Sequence, residues 1–146
     1  MFRGSYQTRV DDKGRVKVPA QYKREIDEKY GSQFYITSWD GKIAQVYPLE
    51  EWERLEQKLQ GLSNFNPSKK KLLMRTNYYG SQVEIDGQGR LLIPALLRDS
   101  ANLKGEISVM GGLDHLELHN MEDVTNEIQQ PFTSEDEAAI DQVLGR

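Results

Sequence analysis

Hydrophobic and polar positions alternate in short runs along this chain, and the runs follow an order that is used twice. Between residues 4 and 10, Tyr6, Thr8 and Val10 occupy every second position, the period of a half-buried strand. Asp11-Asp12-Lys13-Gly14 interrupts it as a turn. An Asp at the start bonds nearby backbone N–H groups, and Gly14 takes a positive φ without steric cost. Residues 15–18 resume the strand pattern, with Val16 and Val18 on one face and Lys17 on the other. Pro19 ends that strand and opens a short polar helix as its first residue, running over 20–29 and stopping near Gly31. Strands at 34–37 and 43–47 flank Asp40-Gly41, a hairpin dipeptide. Pro48 starts the clearest helix, 49–59. Its Leu49, Trp52, Leu55 and Leu59, with Leu62 beyond, form one apolar stripe expected to pack on the core.

After a break at 61–63, Asn66-Pro67 reads as an N-cap and first helical residue for a helix through 69–75. The earlier pattern then returns: strand 81–85, turn 86–89, strand 90–93, helix 94–101, and strands 107–110 and 116–118 around Gly111-Gly112. Each pass is β-turn-β-α-β-β-α. Residues 129–133 read as a loop. Ser134-Glu135-Asp136-Glu137 fits a capping box opening a last helix with Ala138, Ile140 and Leu144. The last fifteen residues either remain poorly ordered or dock elsewhere.

The recurrence extends to residue identity. Asp11-Asp12-Lys13-Gly14-Arg15-Val16-Lys17-Val18-Pro19-Ala20 returns 75 positions later as Asp86-Gly87-Gln88-Gly89-Arg90-Leu91-Leu92-Ile93-Pro94-Ala95. An internal repeat fixes architecture before any other feature does. It predicts a mainly β protein with helices (α+β), built from two pseudo-symmetric units. The expected divisions are a first unit with its helix at 1–63, a linker helix at 64–79, a second unit at 80–130 and an acidic helix or tail at 131–146.

Composition adds exclusions. The chain has 146 residues, 37% hydrophobic and 29% charged, and no apolar run approaches membrane-spanning length. The opening Met1-Phe2-Arg3-Gly4-Ser5-Tyr6 contains no secretory apolar segment, so a cytoplasmic location is expected. With no cysteine, disulfides, thiol catalysis and cysteine zinc sites are excluded. The net charge of -4 conceals a gradient: residues 1–24 carry +5, residues 65–98 carry +4, and residues 114–146 carry -8. Segregation of this kind suggests a basic working face and an acidic flank.

The Asp-x-x-Gly-Arg turn is the candidate site. Asp11, Asp86 and Gly89 structure the turns, as Gly14 does. Arg15 leaves the corner with a planar fork of donors suited to phosphate oxygens or to guanine O6 and N7. Lys13 adds a second cation at the same tip, and Arg9 and Lys17 flank it. A β-ribbon with a basic tip can enter the major groove. The bland alternative is an Asp11–Arg15 ion pair that only stabilises the turn. It suits the second copy better, where Gln88 replaces Lys13 and Glu84 replaces Arg9. Arg90 is therefore a secondary candidate.

Paired Asp-x-x-Gly-Arg…Pro-Ala units resemble the MraZ family of bacterial transcriptional regulators, which carry two AbrB-type swapped-hairpin units. Met1-Phe2-Arg3-Gly4 and Tyr47-Pro48-Leu49-Glu50-Glu51-Trp52 also fit, and the resemblance runs from Met1 to about Val124. It implies interleaved hairpins in one small barrel and a ring-shaped homo-oligomer. It also implies repression of the chain's own division and cell-wall operon through short direct repeats upstream. By resemblance, Lys13, Gly14 and Arg15 contact double-stranded DNA, with Arg3, Arg9, Lys17 and Arg90 as further basic candidates. No cofactor, metal, membrane or small-molecule substrate is implied, and the expected place is the cytoplasm in association with the nucleoid.

Two rival classes remain. His115-x-Glu117-x-His119 places three potential metal ligands on one strand face, as an enzyme would need. No acid–base set or Gly-rich phosphate loop accompanies them. An antitoxin-like protein would instead bind a partner protein through the acidic tail.

Overall fold

In the computed structural model, which describes residues 1–145, the first series of elements is β1 (Ser5–Val10), β2 (Arg15–Lys17), α1 (Ala20–Lys29), β3 (Gln33–Thr37), β4 (Ala44–Pro48) and α2 (Leu49–Gln60). After α3 (Pro67–Tyr78) comes the second: β5 (Ser81–Glu84), β6 (Arg90–Leu92), α4 (Ala95–Ser100), β7 (Gly105–Gly111), β8 (Leu116–Asn120) and α5 (Met121–Ile128). A final helix, α6 (Ser134–Leu144), follows. Arg146, the last residue of the expected tail, lies outside the described residues. The order matches the double β-turn-β-α-β-β-α pattern, with ends moved by a residue or two.

The strands form one antiparallel sheet in the order β5-β3-β4-β8-β7-β1-β2-β6. Its outer strands, β5 and β6, are joined by a tight turn, so the sheet curls into a nearly closed barrel. The units are swapped. β1 pairs with β7 of the second series, and β5 pairs with β3 of the first. At the junctions, repeat-equivalent residues face each other: Val16 pairs with Leu91 on β2–β6, and Gln45 with Glu117 on β4–β8. A pseudo-two-fold axis passes through both pairs. Sequence similarity alone would allow two side-by-side barrels; these pairings show one shared barrel.

Inward positions fill the interior. Val16, Ile36, Val46, Leu91, Ile93, Ile107 and Leu118 are buried, as are Phe2 and Phe34. Each such side chain contributes about 1.5–3 kcal/mol by leaving water. α1 has more anchorage than its polar sequence suggests. Tyr22 and Ile26 are buried, and Tyr22 packs edge-on against Phe2 and Tyr6 while its hydroxyl donates to the Gly4 carbonyl.

The α2 stripe behaves differently from its expectation. Only Trp52 is buried, stacked on Tyr35 and tilted against Tyr47, with ring centroids 4.7 and 5.1 Å away. Tyr35 and Tyr47 are register partners on β3 and β4. They lie out of phase with the inward Phe34, Ile36 and Val46, so α2 covers the barrel's outer surface with Trp52 as its one buried residue. Leu55 and Leu59 stay half-exposed and Leu62 exposed.

Two local expectations shift. Pro19, Pro48 and Pro94 occupy N-cap positions with extended ψ, one residue before the first helical position. Each Pro is still carrying the strand direction when its helix begins. The last capping box is built by Thr133 and Asp136 rather than by Ser134 and Glu137. Asp136 N–H donates to Thr133 Oγ1, and Thr133 N–H donates to Asp136 Oδ2. The earlier cap also lets Thr133 O accept the Glu137 N–H. Asn66 caps α3 as expected, accepting from the N–H groups of Ser68 and Lys69.

Candidate nucleic-acid interface

Each Asp-x-x-Gly-Arg turn is closed by the same five contacts. In the first, Asp11 N–H donates to Arg15 O and Gly14 N–H to Asp11 O, both at 2.9 Å. Asp11 Oδ1 accepts from the N–H groups of Lys13 and Arg15, and Oδ2 accepts from Arg15 Nε at 2.9 Å. Gly14 has φ +82°. In the second turn Asp86, Gln88, Gly89 and Arg90 repeat every bond, and Gly89 has φ +75°. The Arg15 backbone N–H, helped by the Arg15 side chain and the Lys13 N–H, holds the Asp11 carboxyl below the usual carboxylate range. Asp86 is held low by the same groups of Arg90 and Gln88. Both aspartates therefore stay ionised, and each ion pair leaves its half-buried arginine with free terminal donors. The aspartate engages Nε, leaving both terminal amino groups of Arg15 without a hydrogen-bond partner among the described residues.

The swap locks the two turns to each other. Val18 N–H donates to Gly89 O at 2.8 Å, and Ile93 N–H donates to Gly14 O at 2.9 Å. Each corner glycine is thus fixed by the opposite unit. On β2–β6, Arg15 is opposite Leu92, and Lys17 is opposite Arg90. Val16 and Leu91 between them point inward, so Arg15, Lys17, Leu92 and Arg90 share the outer face. Arg9 lies beside Lys17, one step from the Val10–Val16 pair, and is exposed. It approaches Glu106 at 3.7 Å, a surface contact of little weight.

The structure thus brings Arg9, Lys13, Arg15, Lys17 and Arg90 to one region around the two turns, with Gly14 buried at the corner of the first. Arg3 is not part of it. It precedes β1 at the end far from the turn, about 20 Å of extended strand from Arg9. The basic residues of α3 are separate too, because that helix is anchored on β3 by Tyr35 and Thr37 hydroxyls donating to Thr76 O.

One participant escaped sequence reasoning. Arg98 of α4 extends across the unit boundary and lays its guanidinium on Gly14. A Cβ at Gly14 would overlap Arg98 Nη1, which also donates to Ile93 O at 3.2 Å. Lys23, the repeat-equivalent of Arg98, lies near Gly89, with Cε 3.8 Å from where a Cβ would stand. The repeat offset pairing 23 with 98 was the available signal. Arg98 also lines a cleft of about 600 Å³ beside the turn, with Arg9, Asp11, Asp12 and Lys104.

His115, just before β8, shares a side with Glu117 and His119 on the strand, but the three side chains satisfy one another. His115 bonds Asp114 Oδ1 at 2.7 Å and Glu117 Oε2 at 3.1 Å, and His119 bonds Glu117 Oε1 at 3.0 Å. Among the described residues no His, Cys, Asp or Glu group has the arrangement to hold a metal ion. No helix there is long and apolar enough to cross a membrane.

The barrel and its turns define a class: tandem swapped-hairpin proteins presenting a basic β-turn. The family model described as "MraZ protein, putative antitoxin-like" matches residues 1–75 and 80–143, so the chain belongs to the MraZ family. The match reaches beyond the Val124 limit drawn from the motifs. A protein of Koribacter versatilis named "Transcriptional regulator MraZ" is 56% identical over 142 residues, covering 96% of this chain and 97% of the relative. The protein of that name from Acidobacterium capsulatum is 55% identical, with the same coverage of both chains. One from Nitrosomonas eutropha is 39% identical over 83% of this chain and 82% of its own.

Proposed function

We propose that this chain is a sequence-specific DNA-binding transcriptional regulator of the cytoplasm and nucleoid. It assembles with copies of itself into a ring and represses its own division and cell-wall operon through short direct repeats upstream. One observation carries the reading. The first turn holds an ionised Asp11 against Arg15 Nε, and so aims the remaining donors of a rigid arginine outward among Arg9, Lys13 and Lys17. Preorganisation of this kind reduces the ordering cost of binding. The name shared by the relatives supports the reading.

The geometry also favours direct repeats over palindromes. The second turn lacks the matching cations, so one protomer offers one strongly basic tip to one element. A single tip neutralises few phosphates and binds weakly, whereas a ring engaging successive elements multiplies its effective concentration.

Binding to the chain's own upstream region, measured over a salt series beside Arg15→Ala, tests this. The expected result is specific, salt-sensitive binding that Arg15→Ala weakens by about tenfold or more, as loss of a bidentate arginine contact would. Equal binding by both proteins would move the contact away from the first turn. No binding by either folded protein would overturn the proposal and favour the antitoxin-like reading of the acidic tail.

A further inference from the structure

We infer that α6 of one protomer docks on α3 of the next, so that the acidic C-terminal helix is the connector between copies of this chain. The inference deepens the self-assembly in the proposed function and does not depend on DNA binding.

Two unsatisfied surfaces motivate it. Every residue of α6 is solvent-exposed, although the helix is properly started by its capping box. Ile140, Val143 and Leu144 lie three and four apart and form an apolar stripe, and Phe132 precedes the helix at 76% exposure. Residues 121–145 contain seven acids and no Lys or Arg. An amphipathic helix with no buried residue gains little from its own tertiary contacts, so its apolar face calls for a partner.

α3 supplies the complement. Trp39, Ser68, Lys71, Leu72 and Arg75 line an open groove of about 260 Å³, with the four α3 residues on one helical stripe. Trp39 is 45% exposed and Met74 is 73% exposed. Residues 66–80 carry Lys69, Lys70, Lys71 and Arg75 and no acid. Lys69 is used internally, donating to Leu62 O and Asn64 Oδ1. No ion pair engages Lys70, Lys71 or Arg75 among the described residues. An apolar stripe edged with acids thus matches an apolar groove edged with bases.

The two surfaces are different patches of one molecule. A contact between them that runs head-to-tail and repeats around a closed rotation makes a ring. This is why the occupant of the groove is a second copy of this chain.

Sedimentation velocity of the full chain without DNA decides the matter. One variant reverses the tail but keeps the Asp136 cap (Glu135→Lys, Glu137→Lys, Asp141→Lys), and another reverses the groove (Lys70→Glu, Lys71→Glu, Arg75→Glu). Each alone should sediment as a smaller species than the parent. Mixed in equal amounts they should recover the parent size, because every tail then meets an oppositely charged groove. Trp39 emission should shift to the blue on recovery as the groove is covered. Ile140→Asp, at an exposed position of α6, should also shrink the assembly, and circular dichroism should show all variants folded. Variants that assemble like the parent would overturn the docking and leave ring assembly standing on another surface. Loss without recovery on mixing would also overturn it, placing the tail on its own chain. A monomeric parent would overturn both the docking and the ring.

Discussion

Gly14 and Gly89 occupy equivalent corners with nearly equal positive φ, yet their surroundings differ. A side chain at either position carries the left-handed backbone cost, about 1–2 kcal/mol. At Gly89 the nearest atom to an added Cβ is Lys23 Cε at 3.8 Å, an ordinary contact. At Gly14 the Cβ displaces the Arg98 guanidinium and its bond to Ile93 O. Arg98 is flexible at that end, so the extra cost of Gly14→Ala over Gly89→Ala should be about 1 kcal/mol, one hydrogen bond's worth. In an Arg98→Ala background the two glycine substitutions should become equal. Urea unfolding of the four variants checks this, and a persistent difference would show that Arg98 is not the cause. Asp11, Gly14 and Arg15 were legible in the sequence because the five bonds that close their turn are local. Arg98 was not, because it reaches Gly14 across the swap from more than 80 positions away.

At the start of β8, alternation places His115, Glu117 and His119 on one side, which is why the sequence suggested a ligand set. The neighbouring loop and β4 change its meaning. Asp114 takes the second His115 nitrogen, and Tyr47 stacks on the ring at 4.6 Å. Both His115 nitrogens face carboxylates, an arrangement that only the doubly protonated ring satisfies fully. Burial opposes that charge, but Glu117 and Asp114 outweigh it and raise the His115 pKa above 6.5. Hydrogen bonds from His115 and then His119 bring Glu117 down to about 2. A raised His pKa stabilises the fold fully below 6.5 and ceases to do so as pH rises through the raised value. A lowered Glu pKa stabilises it above 4.5 and ceases to do so as pH falls towards 2. The cluster therefore contributes most between about pH 4.5 and 6.5. Glu117→Gln should lower stability by about 2 kcal/mol in that window, as for a lost charged hydrogen bond, and by less on either side. Melting temperature against pH checks the shape; parallel curves for the two proteins would show that the cluster is not the titrating unit. Elements were readable where periodicity was local. The single-aromatic anchorage of α2 was not, because the sequence does not reveal which barrel face Tyr35 and Tyr47 occupy.

The pseudo-two-fold axis makes the backbone of the two turns equivalent, while the side chains break the symmetry. Around the first turn stand Arg9, Lys13, Arg15 and Lys17; at the matching places of the second stand Glu84, Gln88, Arg90 and Leu92. On the proposed function, charge and not backbone shape would decide which turn meets DNA first. The repeat alone made the duplication legible, but only the β2–β6 ladder shows that both turns share one outer face. If the asymmetry sets specificity, restoring symmetry should weaken discrimination. Glu84→Arg, Gln88→Lys and Leu92→Lys together copy the first turn's charges onto the second without touching a buried residue. Affinity for unrelated duplex DNA should rise, and the slope of log affinity against log salt should steepen by about 0.9 for each added phosphate contact. Preference for the upstream repeats should fall, because the new contacts carry no sequence information. Anisotropy titrations over a salt series measure both quantities. An unchanged slope would mean that the second turn does not reach the backbone while the first is engaged, leaving the first turn as the whole contact of each protomer.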